Sequence, residues 1–282
     1  MKPLMEGKVA IITGGSKGIG SAIAEAYVAE GGKVVITARH QADLDAEVAK
    51  LKEMGGDAIG IVADQSKAED TLNVFKVTLE TYGHLDVVVC NAGVGENVKI
   101  EYTPDELFEE VLNINTVGVF RYVREACKIF LPQQSGSIIV VSSVNGVRPM
   151  CGVSYCTSKG AVNMMVKNVG VRLSGTGVRI NGLLPGYTYT PLSNKQEKSG
   201  AMPTTMEGFD PMVLEQRMNP PQEASTLSYL RTFTRRVDQL PGKGERLGAY
   251  PEDQANAALY FGSDMSKAVN GQLLMVDNGT YI

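Results

Sequence analysis

Tyr155 and Lys159, four residues apart in Tyr155-Cys156-Thr157-Ser158-Lys159, are the pair in this sequence best matched to proton chemistry. On a helix, residues at i and i+4 share one face, one turn apart. An ammonium beside a phenol stabilises the phenolate and draws the tyrosine pKa down from its reference of about 10. Such a tyrosine can act as general acid toward a ketone or general base toward an alcohol. The same spacing also arises by chance, as a packed tyrosine beside a solvated lysine, so the reading depends on its company.

That company begins near the N-terminus, at Thr13-Gly14-Gly15-Ser16-Lys17-Gly18-Ile19-Gly20. Glycines permit a tight turn and close approach of backbone N–H groups to a pyrophosphate, and a helix N-terminus adds partial positive charge. The spacing Gly-x-x-x-Gly-x-Gly differs from the general dinucleotide fingerprint, but here the turn leaves a strand and opens a helix. The second strand ends in Thr37-Ala38-Arg39, with no carboxylate for a ribose 2′-hydroxyl. Arg39 can instead pair with a 2′-phosphate, and Lys17 in the turn is a second cation within reach. NADP(H) is therefore the expected cofactor.

The elements that must position these groups alternate along the chain. Strands are predicted at Lys8–Thr13, Lys33–Thr37, Ala58–Val62, Val87–Cys90, Ile138–Ser142, Val178–Leu183 and Leu273–Val276. Helices are predicted at Ile19–Glu30, Ala42–Met54, Ala68–Tyr82, in two stretches between Thr103 and Leu131, at Val153–Leu173 and at Pro251–Phe261. Regular alternation implies parallel strands with crossover helices on both faces, and near-continuous Val/Ile runs suit strands buried on both sides. The fold class is α/β, a doubly wound parallel sheet in one domain spanning residues 1–282. Ligands in such a sheet sit at the carboxyl ends of the strands. One stretch, 191–247, breaks the rhythm with prolines and Met202, Met206, Met212 and Met218. So long an irregular connection reads as a lid over the substrate, or else as surface decoration.

The order and spacing of further motifs complete the pattern. They are Cys90-Asn91-Ala92-Gly93, Asn115, Ser142-Ser143 and Pro185-Gly186, between the glycine turn and the tyrosine–lysine pair or just beyond it. Together the chain resembles the short-chain dehydrogenase/reductase family in its short core form, from Gly7 to Gly279. The resemblance implies a ketone–alcohol oxidoreductase with Asn115, Ser143, Tyr155 and Lys159 as its catalytic set. Ser143 would hydrogen-bond the substrate oxygen, although Ser142 keeps the family's usual offset of 13 residues from Tyr155. Ser143-Val144-Asn145-Gly146 matches the family's Ser-x-x-Gly and favours Ser143. Asn115 would hold a water linking Lys159 to solvent. Gly14, Ser16, Lys17, Gly18, Ile19, Gly20 and Arg39 would hold the phosphates. Asp64 would meet the adenine with Gln65 beside it, and Asn91, Ala92 and Gly93 would line the ribose. Tyr155 and Lys159 would contact the nicotinamide half, with Pro185, Gly186, Thr188 and Thr190 along its carboxamide and a phosphate. Cys90 stands where the family usually has asparagine.

Other function classes find little support. The chain has 282 residues, 43% hydrophobic and 21% charged, with a formal charge of -4 and no basic run for nucleic acid. Two histidines and four scattered cysteines leave no zinc pattern, so no metal is expected. No apolar segment approaches the roughly 20 residues of a membrane span, and a cytoplasmic protein is expected. Val162, Met165, Val166 and Val169 suggest a helix face for a partner subunit, in a homotetramer or a dimer. The partner otherwise expected is a small carbonyl or alcohol substrate. It is either a bulky apolar ketone, such as a steroid, near Gly95, Val147, Met150 and Cys151, or a small polar acyl or sugar-like ketone. A non-catalytic NADP sensor on the same fold would typically have lost one of the tyrosine, lysine or serine.

Overall fold

The computed structural model describes residues 2–190 and 248–279. The proposed lid, 191–247, lies outside the described residues. Within them, seven strands form one parallel sheet in the order β3-β2-β1-β4-β5-β6-β7. They are β1 (Val9–Thr13), β2 (Lys33–Ala38), β3 (Asp57–Val62), β4 (Val87–Cys90), β5 (Gly136–Val141), β6 (Val178–Pro185) and β7 (Leu273–Val276). The crossover helices are α1 (Gly18–Ala29), α2 (Gln41–Glu53), α3 (Ala68–Tyr82), α4 (Asp105–Leu112), α5 (Val119–Gln133), α6 (Val153–Leu173) and α7 (Pro251–Gly262).

Strand alternation feeds two cores, one on each sheet face. Val9 and Ile11 of β1 point into a cluster with Val74, Tyr122, Phe130, Val162 and Val166 from α3, α5 and α6. Their neighbours Ala10 and Ile12 point the other way, to Ile23, Tyr27, Leu44 and Phe261 from α1, α2 and α7. Strand order reverses between β1 and β4, and the crevice this opens lies at the carboxyl ends of both.

Two details differ from the sequence reading. The helical stretches before Leu131 are continuous, joined by a π-helical turn over Asn113–Gly118. Such wide turns are rare and cluster at functional sites. Val162 and Val166 are fully buried, and Met165 and Val169 pack against the same core, so the face they share is the one docked on the sheet. The exposed apolar residues of α6 are Met164, 67% exposed, and Val171, 78% exposed.

Beyond β6 a short clasp forms. Thr188 bridges Ala249, with Tyr189 N donating to Ala249 O at 3.1 Å and Ala249 N to Tyr187 O at 2.9 Å. Tyr189 packs edge-on against Tyr187 and tilted over Tyr250, with centroids 5.3 and 5.2 Å away.

Candidate active site

A cleft of about 1670 Å³ runs along the carboxyl ends of the strands, from the glycine turn to the start of α6. At one end Gly14 and Gly18 adopt left-handed backbone, with φ of 64° and 58°, which glycine tolerates at little cost. A Cβ at Gly20 would run into the Gly14 carbonyl, so Gly20 keeps the turn tight from beneath and does not itself line the cleft. Helix α1 has no side-chain cap and no acid in its first turn. Its open N–H groups and positive pole therefore face the cleft. Thr13 Oγ1 accepts from Asn91 N and Ala92 N, both at 2.9 Å, and Asn91 Nδ2 donates to Thr13 O and Gly14 O at 2.9 and 3.2 Å. The asparagine loop and the glycine turn are thereby locked together.

Arg39 and Lys17 both lie exposed at this end of the cleft. A carboxylate with no signal in the sequence also borders this end: Asp43 Oδ2, on the first turn of α2, accepts from Lys17 Nζ at 2.7 Å. Asp64 and Gln65 also border the cleft. Asp64 accepts from Ser66 N and Oγ at 2.9 and 2.7 Å, and the Ser66 hydroxyl is the main cause of its lowered pKa. Gln65 Nε2 donates to Ala92 O and Ile114 O at 3.0 and 2.9 Å, which ties the asparagine loop to the wide turn.

Deeper in, Lys159 is 5% exposed. Its Nζ donates to Val141 O at 3.0 Å and lies 5.7 Å from the centre of the Tyr155 ring. Burial draws its pKa down to about 8. Asn115 is fully buried, its Nδ2 donating to Val94 O and Ser158 Oγ at 2.8 and 3.0 Å and its Oδ1 accepting from Val94 N at 2.9 Å. The wide turn thus exists where one amide grips both the β4 loop and α6. The two serines differ in use. Ser142 Oγ donates to the Lys159 carbonyl at 3.2 Å. Ser143 Oγ accepts from Asn145 N and Nδ2 at 3.1 and 3.4 Å, which leaves its own proton to donate.

Pro185 and Gly186 close β6 against the cleft, with Thr188 and Thr190 beyond. The Thr188 hydroxyl donates to Gly186 O at 3.1 Å and accepts from Gln254 Nε2 at 3.2 Å. The substrate end is lined by Val94, Val98, Ile100, Val147, Met150 and Cys151. Lys99 lines it too, its side chain 18% exposed and its Nζ 3.9 Å from Glu101 Oε1. The sequence carried no sign of a cation there, because only the fold brings the β4 loop opposite α6.

Residues 8–200 match the family model described as short chain dehydrogenase. The chain is 33% identical to short chain aldehyde dehydrogenase 1 of Euphorbia lathyris, over 98% of this chain and 88% of that protein. It is 32% identical to a 3beta-hydroxysteroid dehydrogenase of Mediterraneibacter gnavus (96% and 94% covered). It is also 32% identical to a mitochondrial borneol dehydrogenase of Lavandula x intermedia (99% and 92%). The crystal structure of levodione reductase superposes with a TM-score of 0.79 at 25% identity, covering 98% of both chains.

Proposed function

The chain belongs to the short-chain dehydrogenase family and is an oxidoreductase acting on CH–OH groups or the corresponding ketones. On that premise we propose that it is NADP(H)-dependent, that Tyr155 is its proton-transferring residue, and that its substrate carries the reacting oxygen on a bulky apolar ring. The observation that carries this reading is one continuous cleft holding the glycine turn, Arg39, the Ser143 hydroxyl, Tyr155 and Lys159.

The residues present fit a nicotinamide dinucleotide. Gly14 approaches Ala92 so closely that a Cβ would lie 3.0 Å from its Cα, and the open N-terminus of α1 suits a pyrophosphate. Arg39 matches a 2′-phosphate in charge and geometry. When bound, the cofactor supplies or accepts the hydride. The protein does the rest. In the reductive direction Ser143 donates a hydrogen bond to the substrate oxygen as charge builds there. Tyr155 donates a second and passes its proton to that oxygen. The Lys159 ammonium, held in a dry site, stabilises the phenolate that remains. Both Asn115 Nδ2 protons are committed to Val94 and Ser158. A water feeding the relay is therefore better placed on the backbone of the wide turn than on this amide.

The apolar lining at Val94, Val98, Val147 and Met150 supports a hydrophobic ring, as do relatives named for a hydroxysteroid and for borneol. Residues 191–247 are proposed as the cover of this end of a single domain, because the clasp brings both their attachment points beside Tyr187, a cleft residue. A cytoplasmic location is proposed; among the described residues no helix is long and apolar enough to cross a membrane. Absorbance of NADPH and NADH with 3-ketosteroids, camphor, cyclohexanone and a β-ketoacyl thioester tests the reading. Tyr155→Phe should lower turnover at least about 10²-fold and leave NADPH binding in place. Near-normal turnover in that variant, or better use of NADH, overturns the respective part.

A further inference from the structure

Helix α6 carries the tyrosine and lysine, yet nothing local caps its start. Its N-cap residue is Gly152, which has no side chain, and its first turn holds no acid. A helix of 21 residues leaves its first N–H groups without partners and concentrates positive potential there. The missing acceptor comes from 59 residues away: Glu96 Oε1, in the loop after β4, accepts from Tyr155 N at 3.0 Å. Its other oxygen accepts from Val98 N at 2.7 Å, and its backbone carbonyl accepts from Gly152 N at 3.2 Å. Gly152 makes room for this, since a Cβ there would overlap the Glu96 carboxylate.

The bonded amide belongs to Tyr155 itself, and the other bonded amide belongs to Val98, which lines the substrate end of the cleft. Glu96 does not line the cleft, although Gly95 and Asn97 on either side of it do. Its carboxylate therefore works from behind, fastening the loop that receives substrate to the helix turn that delivers the proton. Catalytic groups must be held to within a fraction of an ångström, and small misplacements cost rate.

We propose that Glu96 is a positioning residue, which fixes the distance between the Tyr155 hydroxyl and the substrate oxygen by joining the first turn of α6 to the 94–99 loop. This rests on Tyr155 being the proton-transferring residue, and the test separates the two. Glu96→Ala and the isosteric Glu96→Gln are compared with the parent and with Tyr155→Phe, using the best ketone of the panel above. Amide exchange in the unliganded protein is measured at residues 153–156. Loss of a charge-assisted bond should speed exchange at Tyr155 N–H at least about tenfold in Glu96→Ala. The single-turnover rate should fall by a similar factor of about ten, with the NADPH dissociation constant within about twofold of the parent. Glu96→Gln retains one acceptor and should fall between, and it carries the test if the alanine variant does not fold. In the Tyr155→Phe background, Glu96→Ala should cost less than about twofold, because residues acting through one group are non-additive. Equal losses in both backgrounds, unchanged exchange, or a loss confined to KM or cofactor binding would overturn the proposal. Near-normal turnover in Tyr155→Phe alone would instead overturn the assignment of the tyrosine.

Discussion

Replacing Lys159 with methionine should stabilise the unliganded protein at neutral pH while abolishing turnover. The ammonium is 5% exposed and titrates at about 8 instead of the ordinary 10.5, because burial penalises its charge. At ~1.36 kcal/mol per pH unit, that difference is a destabilisation of about 3 kcal/mol whenever lysine is charged in both folded and unfolded states. Methionine removes this penalty and nearly matches the volume. It also removes the bond to Val141 O and the contact with the Tyr155 ring, together worth about 1 kcal/mol. The net expectation below pH 8 is a gain on the order of 2 kcal/mol. The sign follows from proton counts. Between pH 8 and 10.5 the unfolded parent binds the proton that the folded parent has lost, so the parent's stability rises with pH through that window. The methionine variant lacks that rise. Its advantage should shrink across the window and reverse above it by about 1 kcal/mol. Urea unfolding at fixed protein concentration, at pH 6.5 and 10.5, reads both values. A variant less stable than the parent at pH 6.5, or an advantage that grows with pH, would refute the reasoning.

The unequal use of the two serine hydroxyls makes Ser143→Ala the costlier change. It should lower kcat by about 10²-fold, in the range for a lost oxyanion donor, whereas Ser142→Ala should act chiefly on stability, by about 1 kcal/mol. Equal kinetic losses would show that Ser142 also reaches substrate. Asp43→Asn should free Lys17 and remove a negative charge near the 2′-phosphate position, lowering KM for NADPH at least about threefold with little change for NADH, most visibly at low salt. A higher KM for NADPH would mean that Asp43 is needed to hold Lys17 in place. If the expected tetramer or dimer packs on the face of α6 that bears the exposed Met164 and Val171, Met164→Glu should lower the mass measured by light scattering. An unchanged mass would move the interface elsewhere.

The parts legible in the sequence are those whose physics is local. Short apolar runs, most of them rich in Val and Ile, marked the strands, and the tyrosine–lysine spacing needed only one helical turn to become geometry. The glycine turn was readable because strand, turn and helix follow one another without a gap. Strand ends were read less well: β5 starts at Gly136 rather than Ile138, and β6 continues to Pro185, because pairing with neighbours extends a strand past its apolar stretch. What escaped lies between segments distant in sequence. Asp43 carries no signal of its own in the sequence, because only the crossover from β2 lays α2 beside the glycine turn. Glu96 lies in a loop with no periodicity, and only the adjacency of β4 and β5 in the sheet brings it to a helix that begins far along the chain. The outward face assigned to Val162 and Val166 was a misjudged rotation. Their period fits a helix, but period alone does not say which stripe meets the sheet.

The clasp of Thr188 with Ala249 has a meaning for how such a chain can change over generations. Any segment between them leaves and returns at one point, so its ends are already closed by hydrogen bonds that belong to the scaffold. Closing a longer loop then costs only about 0.6 kcal/mol for each doubling of length, and none of that cost strains β6 or α7. If the segment covers the cleft as proposed, insertions and exchanges at this spot alter what the cleft admits while the sheet and the residues proposed for proton transfer stay unaltered. New selectivity can thus be sampled at a position that is nearly neutral for folding.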